Sequence, residues 1–327
     1  MLPFALFFYT KFATNVLICL FYYDKIKTKR WVMDKFIQGC MRIKDMTTAQ
    51  VRALIESNLE VGVNVFDHAD IYGRGECETL FGKALKEDQS LRDKIVLQTK
   101  CGIVKDLSCH RYDNSTNYII DSVHKSMGRL KVDKIERVLI HRPDALLMPE
   151  EVAKAFDKLY SEGAVDSFGV SNFSGNQIAL LSSGVRQKIE YNQIRLSIAH
   201  CPMIENGFNY NRYEDGGINR DDGTLEYCRM NNIQIQCYSP YKGKNKSFIG
   251  DYRYQKLNKL LKEIAFKYEV TPNAIAAAWL LKHPANFSVI NGTTKPERVK
   301  QIAKAKDITL TRIEWYELYL ACSRKLP

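Results

Sequence analysis

Short apolar runs of strand length alternate along the chain with longer stretches in which apolar residues recur every three or four positions. The short runs predict β-strands at 36–42, 63–67, 95–100, 137–141, 167–171, 189–194, 233–238 and 287–290. The longer stretches predict amphipathic helices at 47–61, 76–87, 116–129, 149–161, 177–182, 252–268, 272–282, 296–305 and 313–323.

Eight strands that alternate with helices are typical of a (β/α)8 TIM barrel, an α/β fold. The helical stretches place extra helices after the seventh strand and at the C-terminus. A doubly wound sheet is the alternative, but it needs a glycine-rich fingerprint after its first strand, and G-C-M-R-I at 39–43 is not one. We therefore predict a single barrel over residues 31–327.

Local signals support several of these boundaries. Thr47 and Gln50 form a capping-box pattern, and Thr271 precedes a proline at the first position of its helix. The polar stretch 199–222, rich in Gly and Asn, is predicted to be a long loop on the face where barrel active sites form. A second, shorter loop is predicted between the third strand and its helix.

The first 23 residues differ from the rest of the chain. They are rich in Phe, Tyr and Leu and close to the ~20 residues that span a bilayer. Lys11 lies in their middle, where a charge is costly, and no signal-peptide cleavage site is evident. We regard residues 1–30 as an N-terminal extension, either a membrane anchor or a non-native segment, and expect no other contact with a membrane.

The formal net charge of +11 and the pI near 9.1 would suit an anionic ligand or nucleic acid. However, Lys and Arg are spread through the predicted helices, and no nucleic-acid-binding motif is present. A solvated basic surface is the better interpretation, and we expect no nucleic-acid partner.

The nine cysteines have irregular spacing, and no pair is separated by two residues as in C-x-x-C. This pattern indicates neither a disulfide framework nor a zinc site. It favours a reducing, cytoplasmic location, and we expect no metal.

Four polar residues fall at equivalent places on successive strands. Asp67, Lys100 and His141 end the second, third and fourth strands, and Tyr72 follows Asp67 by five residues. Taken singly, Asp67 is as readily a turn or helix-cap residue, and Tyr72 a half-buried aromatic. Together they lie where the chemistry of a barrel enzyme is located.

These four side chains are chemically complementary. A lysine at the end of an apolar strand needs a carboxylate, which Asp67 can provide. We expect the cation to lower the pKa of Tyr72, so that the phenol donates a proton near neutral pH. His141 is expected to donate a hydrogen bond to the same substrate oxygen.

The motifs around these residues resemble those of the aldo-keto reductase superfamily. Asp67-x4-Tyr72, T-K at 99–100 and L-I-H-R-P-D at 139–144 are similar to its catalytic tetrad. F-G-V-S-N-F at 168–173, Y-N-Q at 191–193, Y-S-P at 238–240 and I-N-G-T-T-K-P-E-R at 290–298 follow in the family's order. The resemblance covers residues 36–327 and is strongest to a bacterial-type branch with D-H-A-D-I-Y and I-H-R-P-D motifs.

The resemblance implies an NADPH site. Ser171, Asn172 and Gln193 would bind the nicotinamide carboxamide, and Tyr238 would stack on the ring. The cofactor-binding set that it implies is Met41, Asp67, Ser171, Asn172, Gln193, Tyr238, Ser239, Pro240, Lys242, Gly292, Thr293, Thr294 and Arg298. Of these, Ser239, Pro240 and Lys242 would line the pyrophosphate, and the last four would surround phosphate between the eighth strand and its helix.

Structural interpretations of some of these residues stay open. Ser171 could cap a helix, Tyr238 could be a core aromatic, and Thr294 with Glu297 fits a capping box. Arg298 could be a surface charge, although a guanidinium suits a 2′-phosphate. The family often has a lysine where this chain has Gly292, which weakens the expected preference for NADPH over NADH.

We therefore predict a monomeric, metal-free oxidoreductase that reduces an aldehyde or ketone to an alcohol with NADPH. The substrate walls are expected from Met41, Tyr72 and part of 199–222. Two alternatives remain: a nucleotide-binding regulatory protein of the same fold with little turnover, and a phosphate-binding barrel isomerase or lyase. The last would leave Ser171, Asn172, Gln193 and Tyr238 without a role.

Overall fold

The apolar runs of the sequence pair side by side as parallel strands and close into a barrel. The computed structural model describes residues 34–106, 109–213, 215–244 and 246–327. The predicted (β/α)8 fold is confirmed over these residues. The N-terminal extension 1–30 lies outside them. In this part of the chain, no helix is both long and apolar enough to cross a membrane.

The strands are β1 (Phe36–Gly39), β2 (Val65–Asp67), β3 (Val96–Cys101), β4 (Ile103–Lys105), β5 (His110–Tyr112), β6 (Ile135–Ile140), β7 (Val165–Ser171), β8 (Ile189–Arg195), β9 (Gln234–Tyr238) and β10 (Ser288–Asn291). The barrel strands follow the order β1-β10-β9-β8-β7-β6-β3-β2, and β2 closes the barrel against β1. A separate antiparallel pair, β4 and β5, lies outside this sheet.

Helices surround the barrel and bury one face against it. They are α1 (Thr48–Glu60), α2 (Glu76–Glu87), α3 (Thr116–Leu130), α4 (Pro149–Ser161), α5 (Gly175–Gly184), α6 (Pro202–Asn209), α7 (Thr224–Met230), α8 (Gln255–Lys267), α9 (Pro272–Leu281), α10 (Pro296–Ala303) and α11 (Arg312–Leu320). The extra helix after the seventh barrel strand and the C-terminal helix are present, as predicted.

The predicted helix caps are confirmed. Thr47 and Gln50 form a reciprocal capping box at the start of α1, and the Thr271 hydroxyl caps α9. Each cap satisfies backbone N–H groups that have no partner within the helix. The polar signals therefore fix where these helices begin.

Two predicted loops contain regular structure. The stretch 199–222 includes α6, and the loop after the third barrel strand contains the β4–β5 hairpin. The helix after the sixth barrel strand, α7, was not predicted, and 252–268 begins with a 3₁₀ turn at Tyr252–Tyr254. These elements are short, so that few apolar repeats mark them in the sequence.

The main apolar core lies between the barrel strands and the helices. Inside the barrel, a small cluster of Ile37, Val65 and Ile290 is apolar, whereas many other inward positions are polar.

The first strand ends at Gly39, three residues earlier than predicted, because the chain turns at Met41 and Arg42. This turn brings Met41 to the same end of the barrel as the C-terminal ends of the other strands.

Candidate active site

A buried ion pair joins the ends of two neighbouring strands. Asp67 is the last residue of β2, and Lys100 lies near the end of β3. The Lys100 Nζ lies 2.6 Å from Asp67 Oδ1 and donates to the His68 carbonyl oxygen at 2.7 Å. The Lys100 side chain is 0% exposed and that of Asp67 is 3% exposed. The predicted pairing of these two charges is therefore present, out of contact with water.

A tight turn places Tyr72 beside this pair. Tyr72 begins a 3₁₀ turn that ends at Gly75, whose φ is +90°. Side chains with a Cβ are strained at this positive φ, so the turn favours a glycine there. The Lys100 Nζ lies 5.1 Å from the centroid of the Tyr72 ring. The phenol and the ammonium group are thus close neighbours.

The predicted lowering of the Tyr72 pKa is wrong, because the pKa is raised. Burial, and secondarily the negative charge of Asp67, raises the pKa of Tyr72 well above its ordinary value. The physical reason is that Asp67 already neutralises the lysine, whereas the phenol is partly withdrawn from water. Tyr72 is consequently held in the protonated form, which a proton donor must have.

His141 completes the group of four. It follows the last residue of β6, and its ring is nearly perpendicular to that of Tyr72, with 6.2 Å between the centroids. Burial, and secondarily the charge of Lys100, lowers the pKa of His141 to about 2. Its Nδ1 is buried and has no hydrogen-bond partner among the described residues. A neutral imidazole here can donate one hydrogen bond to an oxygen in the cavity.

One cavity of about 660 Å³ opens beside these residues. Asp67, Tyr72 and His141 line it, while Lys100 lies behind them. Every residue of the predicted cofactor-binding set is also on its wall: Met41, Asp67, Ser171, Asn172, Gln193, Tyr238, Ser239, Pro240, Lys242, Gly292, Thr293, Thr294 and Arg298. The structure therefore brings the predicted set together at a single site.

The residues predicted around a nicotinamide are linked to one another. The Ser171 hydroxyl donates to the backbone carbonyl oxygen of Gln193 at 2.9 Å, and Asn172 Nδ2 donates to Ser171 Oγ at 2.8 Å. The Tyr238 hydroxyl donates to Asn172 Oδ1 at 3.0 Å. Ser171 does not cap α5, because Ser174 does so. The helix-cap interpretation of Ser171 is therefore wrong.

The capping box considered for Thr294 is absent. The helix α10 begins after Lys295, and no side chain caps it. The Thr293 hydroxyl instead accepts a hydrogen bond from the Lys295 backbone N–H at 3.2 Å. Thr294 lines the cavity at an uncapped helix start, which is a favourable environment for an anion.

Lys295, which was not predicted, lines the cavity together with Arg298. A second cation was expected only at position 292, which is a glycine. Arg42 and Lys242 also lie on the wall, and Arg42 Nη1 donates to the Gly292 carbonyl oxygen at 3.4 Å. The signal that could have found Lys295 is its position immediately before Pro296, at the start of a helix.

The expected contribution of 199–222 to the substrate walls stays a prediction. None of the described residues in this stretch lines the cavity. Several of them border a second cavity of about 640 Å³, which shares Asn172 and Tyr238 with the first.

Asp70, the second carboxyl of the D-H-A-D-I-Y motif, lies next to the ion pair on the side away from the cavity. The backbone N–H of Asp70 donates to the Lys100 carbonyl oxygen at 3.0 Å, and its Oδ1 is buried with no hydrogen-bond partner among the described residues. Glu78, nearby, accepts from Thr99 Oγ1 at 2.6 Å and from Arg129 Nε at 2.7 Å. Burial first, and then the charge of Glu78, raises the pKa of Asp70 to about 7.

Asp70→Asn is expected to stabilise the protein at alkaline pH but not at acidic pH. The unfolded chain ionises Asp70 near its ordinary pKa of 3.8, whereas the folded chain does so near 7. Wild type therefore loses stability as the pH rises through this window, and asparagine removes that loss, on the order of a few kcal/mol at most. Urea unfolding at both ends of the window measures it, and a difference that does not change with pH would contradict the assignment.

Within the described residues, no group of three or more His, Cys, Asp or Glu side chains is arranged to hold a metal ion. Apart from the Asp67 carboxylate, which is paired with Lys100, and the His141 imidazole, the polar groups of the cavity are amides, hydroxyls and cations. This donor set suits phosphate and amide groups more than a metal.

A parallel barrel with ionisable residues at the C-terminal ends of its strands is the architecture of (β/α)8 enzymes. Residues 35–319 match the sequence profile of the aldo/keto reductase family. The chain belongs to that family.

Its relatives include enzymes and proteins named as oxidoreductases. YcsN of Bacillus subtilis, an uncharacterized oxidoreductase, is 34% identical over 88% of this chain and 93% of its own length. The 6-dehydroglucose reductase of Agrobacterium fabrum has the same identity and coverage. The crystal structure of a Klebsiella pneumoniae aldo-keto reductase in complex with NADPH has a TM-score of 0.68 at 22% identity, and the match covers 87% of this chain and 89% of that one. This likeness supports the fold.

Proposed function

We propose that this protein reduces an aldehyde or ketone to an alcohol with NADPH, and that Tyr72 donates the proton. The observation that carries this proposal is a protonated tyrosine and a neutral histidine on the wall of one cavity, with a buried lysine next to the tyrosine ring. The membership of the aldo/keto reductase family supports the same reaction class.

NADPH, when bound, supplies the hydride that adds to the carbonyl carbon. Tyr72 gives its proton to the carbonyl oxygen, and the product is the alcohol. Lys100 then stabilises the phenolate that remains, because its ammonium group lies next to the ring. His141 orients the oxygen by donating a hydrogen bond from its neutral imidazole.

The cavity wall fits the charges and amide of this cofactor. Gln193, Ser171 and Asn172 would bind the carboxamide, and Tyr238 would stack on the ring. The cations Arg42, Lys242, Lys295 and Arg298 fit anionic phosphates. We assign Arg298 and Lys295 to the 2′-phosphate, with Thr293 and Thr294 beside them, and Ser239, Pro240 and Lys242 to the pyrophosphate.

The proposed reaction requires a substrate with an aldehyde or ketone group. Because one relative is a 6-dehydroglucose reductase, we include oxidised sugars with simple aldehydes and diketones as candidate substrates. Purified protein mixed with each compound should consume NADPH, followed as the loss of its absorbance. Tight NADPH binding without turnover on any compound would favour the regulatory alternative, and the absence of NADPH binding would exclude the reductase.

Arg298→Ala is expected to weaken NADPH binding by roughly tenfold or more, because a charge-assisted contact contributes on the order of 1.5–3 kcal/mol. NADH lacks the 2′-phosphate, so its affinity should change little. The double variant with Lys295→Ala should lose more, since it removes the second cation. Titration of each cofactor by fluorescence quenching measures both effects.

Lys300→Ala is the matched control for this prediction. Lys300 lies on the same helix but pairs with Glu60 and does not line the cavity. The Lys300→Ala variant should bind NADPH and NADH with affinities close to those of wild type. An equal loss of NADPH and NADH binding in Arg298→Ala would mean that Arg298 supports the fold rather than the phosphate.

A further inference from the structure

Three glutamines meet inside the barrel below Asp67: Gln98 on β3, Gln193 on β8 and Gln236 on β9. Gln98 and Gln236 are 0% exposed. β8 and β9 are neighbours and place Gln193 beside Gln236. β3 is adjacent to neither of them, so the Gln98 side chain meets the other two across the barrel interior. Such interiors are usually filled by branched apolar residues. Buried amides are costly unless they are hydrogen-bonded, so this arrangement requires an explanation.

The hydrogen bonds between these amides have a fixed direction. Asp67 Oδ1 accepts from Gln98 Nε2 at 2.6 Å and from Gln193 Nε2 at 3.0 Å. A carboxylate paired with a lysine can only accept, so both glutamines must turn their NH₂ groups towards it.

Gln236 completes the arrangement. Its Oε1 accepts from Gln98 Nε2 at 2.8 Å and from Gln193 Nε2 at 3.2 Å, and its own Nε2 returns a bond to Gln98 Oε1 at 2.9 Å. Both N–H bonds of the Gln193 amide are therefore used inside the barrel. Only the carbonyl oxygen of that side chain can serve a ligand in the cavity, which Gln193 lines.

We propose that Gln98 and Gln236 are positioning residues that hold the Gln193 oxygen towards the cofactor cavity and fix Asp67 against Lys100. Neither of them lines the cavity. The ligand group that they select is an amide N–H donor, the NH₂ of the nicotinamide carboxamide. This inference rests on the proposed NADPH site, and it links recognition of the cofactor to the ion pair behind Tyr72.

A cofactor analogue tests this role directly. In the 3-acetylpyridine analogue of NADP⁺, a methyl group replaces the carboxamide NH₂, so the donor for Gln193 is missing. Wild type should bind NADP⁺ about tenfold more tightly than the analogue, because the analogue leaves the Gln193 oxygen without a partner. The Gln98→Met/Gln236→Met double variant should show a smaller preference, since the Gln193 amide keeps its bond to Asp67 but loses the acceptor for its second N–H.

The double variant is chosen to preserve the fold. Replacing both partners of the Gln98–Gln236 hydrogen bonds by apolar groups of similar shape is close to neutral for that pair, whereas Asp67 and Gln193 each lose one hydrogen bond. Gln234→Met is the matched control, because Gln234 lies on the same strand, two residues before Gln236, and contacts the Asp34 backbone instead. It should keep the wild-type preference. The melting temperature of each variant is measured beside the two dissociation constants.

The outcomes separate the two proposals. If wild type does not bind NADP⁺, the proposed function fails and this inference fails with it. If wild type prefers NADP⁺ but the double variant keeps the same preference, only the inference is overturned. Equal wild-type affinity for both compounds overturns it as well. Should the double variant melt far below wild type, Gln236→Asn, which shortens the amide by one methylene, must reduce the preference instead.

Discussion

Tyr72→Phe is expected to lower kcat for carbonyl reduction by at least about a hundredfold, because positioned proton transfer contributes roughly 10²–10⁴-fold. The affinity for NADPH should stay close to that of wild type, since the substitution removes only the hydroxyl. Steady-state rates on the best substrate of the panel, together with a fluorescence titration of NADPH, measure the two quantities.

Tyr191→Phe provides the matched control for this result. Tyr191 is also buried inside the barrel, but it contacts Arg137 and does not line the cavity. Its variant should reduce the substrate at nearly the wild-type rate. Full activity in Tyr72→Phe would remove the proposed proton donor and leave the source of the proton to another group on the cavity wall.

The raised pKa of Tyr72 also determines how the reaction should respond to pH. The phenol is protonated throughout the neutral range, because burial and the charge of Asp67 both oppose its ionisation. The rate of the chemical step should therefore not fall with loss of this proton near neutral pH. A decline there would point to another group, and Asp70, whose pKa lies near 7, is the first to test with Asp70→Asn.

The strand ends could be predicted from the sequence because each is an apolar run that stops at a polar residue. Asp67 and Lys100 are examples, and the barrel places the ends of successive strands side by side. The positions of the four candidate catalytic residues therefore followed once the fold was recognised. Their ionisation did not, because the balance between burial and charge depends on distances that a sequence does not contain.

The glutamines inside the barrel left a signal that was available in the sequence. In I-V-L-Q-T-K, Gln98 and Lys100 are two residues apart, and in I-Q-I-Q-C-Y so are Gln236 and Tyr238; this spacing places each pair on one face of its strand. The partners across the barrel could not be read in this way, because they depend on how the barrel closes. Lys295 was not predicted, because the family resemblance places the second cation at position 292, where this chain has a glycine.

The buried ion pair gives the largest expected change in stability. Lys100→Met should lower the free energy of unfolding by about 3–5 kcal/mol, because it leaves the Asp67 carboxylate buried without its cation. The hydrogen bonds from Gln98 and Gln193 remain, but they do not replace a full positive charge. Urea unfolding at neutral pH measures the loss.

Removing both charges should restore much of this stability. In Asp67→Asn/Lys100→Met, no unpaired charge stays in the barrel, and the asparagine oxygen can still accept from Gln98. The double variant is therefore expected to be more stable than Lys100→Met alone, although it should be inactive as a reductase. Lys154→Met, which breaks an exposed pair with Glu151, should unfold close to wild type. If the double variant is no more stable than Lys100→Met, the loss of unfolding free energy comes from the lost packing of the Lys100 side chain and not from the unpaired Asp67 carboxylate.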